Sequence, residues 1–365
     1  MPPWPRGEPV PPTVATESDS YEVVKARHER HCARVLSPEG YIEVLPLLFA
    51  GNQGTHFRRP FHWSTRPHAV RKRHQALCFY ERGRDGQLRR HSFIERWLRD
   101  KAIRTLDAVV CDPRGALPRT LNTFRGFRAA SLPALDDGET WALVEPIWAH
   151  ILEVLIPFNP AALDIVLDWF AHLLQRPAVR TRLALVMRGG YGCGNDFLAT
   201  WHAEHIMGTL YSEVVFRPAE TRRVADSIMV ISRLQGALKS NIDALKDLAV
   251  RYDCRRRGRV EENYSNVYVT TESNRFVRMA EAHREFLTFQ CSDAHQGDPA
   301  YFASLMHHLL RPEVMRAWYQ TLMARDLSAY RDTRSFQLAA DAVSPWRPPQ
   351  DEYAQEDCPS HTDSD

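Results

Sequence analysis

Lysine is scarce in this chain: it occurs only at positions 25, 72, 101, 239 and 246, within a total of 47 lysines and arginines. Arginine therefore carries nearly all the basic charge, which favours planar, bidentate contacts to phosphate, although a biased genome produces the same skew. Long apolar runs are missing as well. None approaches the roughly 20 residues a helix needs to span a bilayer, and the amino terminus lacks the charged, apolar and small-residue order of a secretory signal. Both absences point to an intracellular chain with no membrane partner. The seven cysteines, at 32, 78, 111, 193, 254, 291 and 358, include no Cys-x-x-Cys pair and read as reduced thiols. His28, His31 and Cys32 form a short cluster of ligand types, but no second cluster with zinc-like spacing completes it, so no metal site is assigned. A large charge of one sign is also lacking. The formal excess is +2, too small to imply nucleic-acid binding, but Asp351, Glu352, Glu356, Asp357, Asp363 and Asp365 load the C-terminus and leave the body more basic than the total.

What is present is a globular composition, 365 residues with 44% hydrophobic and 25% charged, enough for two compact units plus tails. Residues 1–20 are proline-rich and read as a disordered tail, and residues 336–365 as an acidic one. Residues 21–135 read as a mixed α and β region: a polar helix over Tyr21 to Arg34, an apolar segment from Tyr41 to Ala50 broken at Pro46, a short helix at Phe93 to Leu98, a strand at Ala108 to Cys111, an Asp112-Pro-Arg-Gly turn and a strand segment at Leu121 to Phe127. Between them, residues 56–74 interleave Arg58, Arg59, Arg66, Arg71, Lys72 and Arg73 with Phe57, Phe61 and Trp63. That pattern either grips a phosphate backbone while stacking on bases or is an unstructured basic loop, the simpler account. Residues 136–180 are helical, over Thr140 to Leu155 and Ala161 to Gln175, the second carrying a core stripe of Leu163, Val166, Leu167, Phe170, Leu173 and Leu174.

Residues 181–335 alternate strands and helices, the mark of a parallel α/β sheet. Strands are expected at Ser227 to Ile231, Asn266 to Thr271 and Phe286 to Phe289. Helices are expected at Asn241 to Tyr252, from Asp298 to about Leu310, and from Pro312 to Arg325, with a basic hairpin at Cys254 to Val260. The most informative stretch is Leu183-Ala-Leu-Val-Met-Arg-Gly-Gly-Tyr-Gly-Cys-Gly-Asn-Asp-Phe197. An apolar strand runs into Gly189, Gly190, Gly192 and Gly194, and a helix follows, the order required of a phosphate-binding P-loop. Asn195 and Asp196 stand where that chemistry needs Lys and Ser or Thr. Asn removes the cation that neutralises phosphate, and Asp brings a like charge that would repel it by roughly 4 kcal/mol at about 4 Å and an effective dielectric of about 20.

Several further segments fall in a known order: Phe93 to Leu98, Cys111-Asp-Pro, Leu121-Asn-Thr-Phe-Arg-Gly-Phe127, Asp168-Trp-Phe-Ala-His-Leu-Leu-Gln-Arg-Pro177, Thr270-Thr-Glu-Ser-Asn274, Ala282-His-Arg-Glu-Phe286, Cys291-Ser-Asp-Ala-His295 and Asp326-Leu-Ser-Ala-Tyr330. Over about residues 90 to 335 the chain resembles the helicase domain attached to the primase-polymerase of a deep-sea vent phage, a branch of the superfamily three helicases related to the poxvirus primase-helicase. The resemblance implies a P-loop, AAA+-like fold, ATP with Mg2+ as cofactors, single-stranded DNA as partner, a homo-oligomeric ring, and a separate primase or polymerase chain, since no primase half is recognisable here. Residue by residue, Asn274 matches the strand-end group that senses the γ-phosphate or positions water, or else caps a turn. Arg284 matches the arginine that reaches nucleotide across a subunit boundary, or is a surface arginine. Arg255, Arg256, Arg257 and Arg259 match the DNA-facing hairpin, where arginines contact phosphates without reading sequence, or form a solvated turn.

The departures are as informative. The second core strand should end in an acidic pair, but Val230-Ile231 runs into Ser232-Arg233-Leu234. Glu220, Asp226 and Asp243 lie elsewhere, and Lys239 or Arg222 would have to supply the missing charge. Loss of the loop lysine, hydroxyl and acids together implies impaired hydrolysis. Two functions follow: a superfamily-three-like DNA helicase or ATPase domain of a virus or mobile element with little hydrolysis, or a non-enzymatic nucleic-acid-binding or ring-assembly subunit.

Overall fold

The computed structural model describes residues 19–37, 39–44, 61–115, 118–136, 138, 140–208, 211–215, 227–234, 239–250, 253–256, 259–281 and 283–330. The expectations for residues 1–18 and 331–365, for Pro46, for Arg58 and Arg59 and for Arg222 and Arg257 lie outside them. The chain divides into two units, Met1–Gly126 with Arg255–Arg259, and Phe127–Cys254 with Val260–Asp365.

In the first unit the elements run α1 (Tyr21–His28), β1 (Cys32–Ser37), β2 (Gly40–Val44), β3 (Phe61–Ser64), α2 (Pro67–Arg73), β4 (Cys78–Arg82), β5 (Leu88–Ser92), α3 (Phe93–Arg99), β6 (Thr105–Val110) and β7 (Thr120–Asn122). Five strands form a sheet in the order β3-β2-β1-β6-β7, antiparallel among the first three and parallel from β1 to β7. The helix expected to reach Arg34 ends at His28, because Cys32–Ser37 is claimed as a strand between β2 and β6, with Val35 opposite both Gly40 and Leu106. Glu29 fastens that turn: its carboxylate accepts from Trp97 Nε1 at 2.9 Å and from the Arg104 amide at 2.9 Å. Nor are residues 61–74, the described part of the basic segment, an unstructured loop. They form β3 and α2; Arg71 pairs with Glu95 at 3.0 Å, Arg73 pairs with Glu43, and Trp63 packs against the core of Ala33, Val35, Ile42 and Leu106.

The second unit contains α4 (Thr140–His150), α5 (Leu163–Gln175), β8 (Ala184–Arg188), α6 (Phe197–Trp201), β9 (Tyr211–Val215), β10 (Met229–Leu234), α7 (Lys239–Val250), β13 (Asn266–Thr271), α8 (Asn274–Glu281), β14 (Phe286–Gln290), α9 (Pro299–Leu309) and α10 (Pro312–Ala324), while β11 (Asp253–Arg256) and β12 (Arg259–Glu262) each run across the division of the chain. The predicted single helix from 140 to 155 is α4 followed by a π-helical turn at Ile151–Leu155, and α4 carries Pro146 in its interior, where proline removes one helical hydrogen bond.

Its sheet has the order β14-β8-β13-β10-β9, and every pairing is parallel. Numbered along the chain, the five strands therefore lie fifth, first, fourth, third, second. Parallel sheets must be covered on both faces, and this one is. Ala184, Val186, Val230, Val267 and Val269 pack with Ile242, Leu245, Phe276 and Ala280 of α7 and α8, while the Tyr268 ring faces Trp169 at 6.3 Å and Phe170 at 6.4 Å on α5. All ten residues from Ile165 to Leu174 are buried, so α5 is enclosed on all sides rather than along one stripe. This is a P-loop NTPase fold, with β8 inside the sheet and the glycine turn at its carboxyl end. Among the described residues no helix is long and apolar enough to cross a membrane.

Candidate nucleotide site

In open parallel sheets, ligands bind outside the carboxyl ends of the strands, where neighbouring connections leave in opposite directions. The glycine turn occupies that place, between β13 and β14. Gly189 N–H donates to Thr271 O at 3.0 Å, holding the turn to β13, and the Phe197 amide donates to Gly194 O at 3.1 Å as α6 begins. Gly192 and Gly194 have φ of 78° and 91°, a region glycine enters without the Cβ penalty of other residues. At Gly194 the space is also closed: a Cβ would meet Phe302 Cε1 at 2.6 Å and His150 Cε1 at 3.5 Å. The start of α9 thus packs on the turn. Gln296, just before it, donates to Tyr191 O at 2.8 Å, and the Tyr301 hydroxyl pairs with His150 Nδ1 at 3.0 Å. Burial pushes the His150 imidazole down to about 4 against a hydrogen bond with Gly194 that favours its protonation, so it is neutral at pH 7.

Asn195 and Asp196, the two departures, are both tied into the fold. The Asn195 carbonyl accepts from the Tyr268 hydroxyl at 2.7 Å, and its Nδ2 lies 3.5 Å from Met187 O. Asp196 Oδ2 accepts from Arg233 Nε at 2.8 Å and from a terminal guanidinium nitrogen at 2.7 Å, so two nitrogens of one guanidinium converge on a single carboxylate oxygen in a charge-assisted ion pair. Arg233 belongs to the end of β10, in register with Thr270, which is in turn in register with Met187. The like-charge repulsion expected from Asp196 is therefore largely offset by a cation contributed from 37 residues away. The resemblance calls for a hydroxyl and an acid that jointly hold Mg2+ at these two places. Here an acid stands in the loop and a guanidinium at the strand end, and the two are in direct contact. This donor set does not fit Mg2+, which needs carboxylate and water oxygens around it.

Beneath the turn, Cys193 and Cys291 are buried neighbours. The hydrogen bond with the Cys291 thiol pulls Cys193 down to about 7, with help from the Asn195 backbone and against burial. A Cβ at Gly189 would meet Cys193 Sγ at 2.4 Å, so that glycine makes room for the sulfur.

Asn274 opens α8 directly after β13, and its Oδ1 is buried without a hydrogen-bond partner among the described residues. The capping role belongs to Ser273, whose Oγ accepts from the Phe276 amide at 3.2 Å. Arg284 is exposed in the turn ahead of β14, beside Glu285, whose carbonyl accepts from Ala184 N at 2.7 Å at the amino end of β8. It lies at the opposite edge of the sheet from the glycine turn of the same chain, about 15 Å away at the rise of a five-residue strand. Arg255, Arg256 and Arg259 fall on the two-stranded sheet of β11 and β12, matching the expected basic hairpin in backbone. Sequence reasoning did not find Arg233, His150, Gln296 or Phe302 as site residues. Each arrives from a separate element, and no local motif marks any of them.

No family model matches the sequence, and no curated protein matches it. Solved structures do. The A form apo structure of the NrS-1 C-terminal region is similar at a TM-score of 0.56 and 11% identity, over 88% of this chain and 72% of that one. The apo structure of NrS-1 residues 305–718 aligns at 0.48 and 12% identity, over 72% of this chain and 68% of that one. The JCV helicase aligns at 0.29 and 15% identity, over 57% of this chain and 66% of that one. The first of these shows a shared fold across most of the chain, in agreement with the phage helicase-domain resemblance read from the sequence.

Proposed function

We propose that the chain is a superfamily-three-like helicase subunit serving DNA replication of a virus or mobile element, in which Mg2+-dependent ATP hydrolysis has been lost. The Asp196–Arg233 ion pair carries this reading, because it places a fixed cation where a hydrolytic site needs an exchangeable metal. The glycine turn and the unpartnered Asn274 Oδ1 keep the outline of a nucleotide site, and no reaction step is assigned to it. Binding and assembly remain as functions: the β11–β12 arginines would contact single-stranded DNA through phosphate, Arg284 would face a neighbouring copy in a ring, and priming would come from a separate chain. The offset Asp196 charge and the absent acidic pair favour this non-enzymatic form over a working motor.

Phosphate release by the full chain tests it, measured with Mg2+ and ATP, with and without single-stranded DNA, beside the triple change Asn195→Lys, Asp196→Ser, Arg233→Asp. The natural chain should show no DNA-stimulated release while still binding DNA, with affinity falling steeply as salt rises. DNA-stimulated release that disappears in Asn274→Ala would show the site to be a working ATPase and the proposal wrong.

A further inference from the structure

Away from the glycine turn, three element ends in the first unit converge. His28 is the last residue of α1, Cys32 the first of β1, and His74 follows α2 directly. A ligand nitrogen of His28, Cys32 Sγ and a ligand nitrogen of His74 all lie within 4.8 Å of one another. His28 and Cys32 are 4% and 5% exposed, and the His74 side chain 13%. The spacing hides the set from sequence: His28 and Cys32 sit on one short turn, and His74 arrives only when α2 folds back over β2.

A second observation points to a ligand. His28 Nε2 is buried and has no hydrogen-bond partner among the described residues, an arrangement that costs roughly 1 to 3 kcal/mol when nothing satisfies the atom. Packing alone accounts for the ring, which meets Phe93, Trp97 and His74 edge-on at centroid distances of 5.1, 4.9 and 4.9 Å. It does not account for an unsatisfied nitrogen on a buried ring that a thiol and a second imidazole approach. Glu43 lies next to the third ligand, its Oε2 3.7 Å from His74 Nε2, and is oriented by Arg73, as carboxylates beside metal-bound imidazoles commonly are.

We propose that His28, Cys32 and His74 form a zinc site that ties α1, β1 and α2 together, with Glu43 or a water at the fourth position. Two imidazoles and one thiolate suit Zn2+ and its spectroscopic substitute Co2+, and exclude Mg2+ and Ca2+, which take oxygen ligands.

The full chain, stripped by chelator under reducing conditions, is titrated with Zn2+ alone and with Co2+ alone. One equivalent of Zn2+ should bind and raise the thermal midpoint. Co2+ should give visible d–d bands and a near-ultraviolet thiolate charge-transfer band. The Cys32→Ser change should abolish that band and the rise in midpoint, and His74→Gln should weaken Zn2+ binding at least tenfold. His31→Ala, beside the cluster but outside it, should leave both intact. A folded natural chain that takes up no stoichiometric Zn2+, or a cobalt spectrum without the thiolate band, overturns the proposal. If Cys32→Ser does not fold, His74→Gln decides: unchanged affinity in that variant rejects the site.

Discussion

Asp196 and Arg233 show how a lost motif is absorbed at the scale of single residues. A loop acid without a partner would repel phosphate, and Arg233 at the end of β10 supplies that partner; together they make a half-exposed ion pair. Its side chains keep 31% and 39% of their exposure, so the pair contributes on the order of 1 kcal/mol to stability. A double-mutant cycle of Asp196→Ala and Arg233→Ala, followed by chemical unfolding, should return a coupling of that size, and no coupling would show the contact to be incidental. Gly194 is the less tolerant position. Alanine there must hold φ near 91° and displace Phe302, which costs about 2 to 4 kcal/mol; a melting temperature unchanged in Gly194→Ala would contradict this packing of α9 on the turn. The residue types at 195 and 196 were legible as departures from the sequence. The arginine that answers one of them was not, because ion-pair partners across a parallel sheet leave no periodic trace along the chain.

At the scale of elements, legibility followed burial and length. β13, fully buried along six residues, and α5, with its dense apolar composition, stand out from hydrophobic pattern alone. β5 is exposed at every position and β9 reads Tyr-Ser-Glu-Val-Val, so neither carries a core signal; both exist because a neighbouring strand supplies their ladder. β1 is hidden for a related reason, since its helix-like polar surroundings conceal a strand that only β2 and β6 define. Because α5 is enclosed on every side, truncation there should be severe. Phe170→Ala, which removes a fully buried ring packed on Trp169, His202 and Trp318, should cost about 3 to 5 kcal/mol in unfolding free energy. A loss below about 1 kcal/mol would contradict that enclosure.

At the scale of the whole molecule, the second unit buries neutral histidines. Burial pushes His150, His172 and His205 down to about 4 and His202 to about 3, and His202 Nδ1 is committed as acceptor to Trp318 Nε1 at 3.0 Å. Each folded value lies below the ordinary 6.5, so the unfolded chain takes up these protons first. Stability is then full above pH 6.5 and falls as pH drops toward 4, by roughly 1 kcal/mol per pH unit for each such histidine. Urea midpoints measured from pH 7 to 5 should show that decline, and His202→Gln should make it shallower by about one proton; a flat profile would contradict the burial. The five-stranded parallel order, fifth-first-fourth-third-second, is likewise a property of the whole: strand existence is readable locally, but neighbour order depends on crossovers that periodicity does not encode.

A guanidinium standing in for the metal at the proposed nucleotide site makes ATP binding indifferent to Mg2+, which calorimetry with and without the metal measures. In the natural chain Mg2+ should leave nucleotide affinity unchanged, and in the Asn195→Lys, Asp196→Ser, Arg233→Asp chain it should strengthen it. Mg2+ that tightens ATP binding to the natural chain tenfold or more would show that the metal still has its place there.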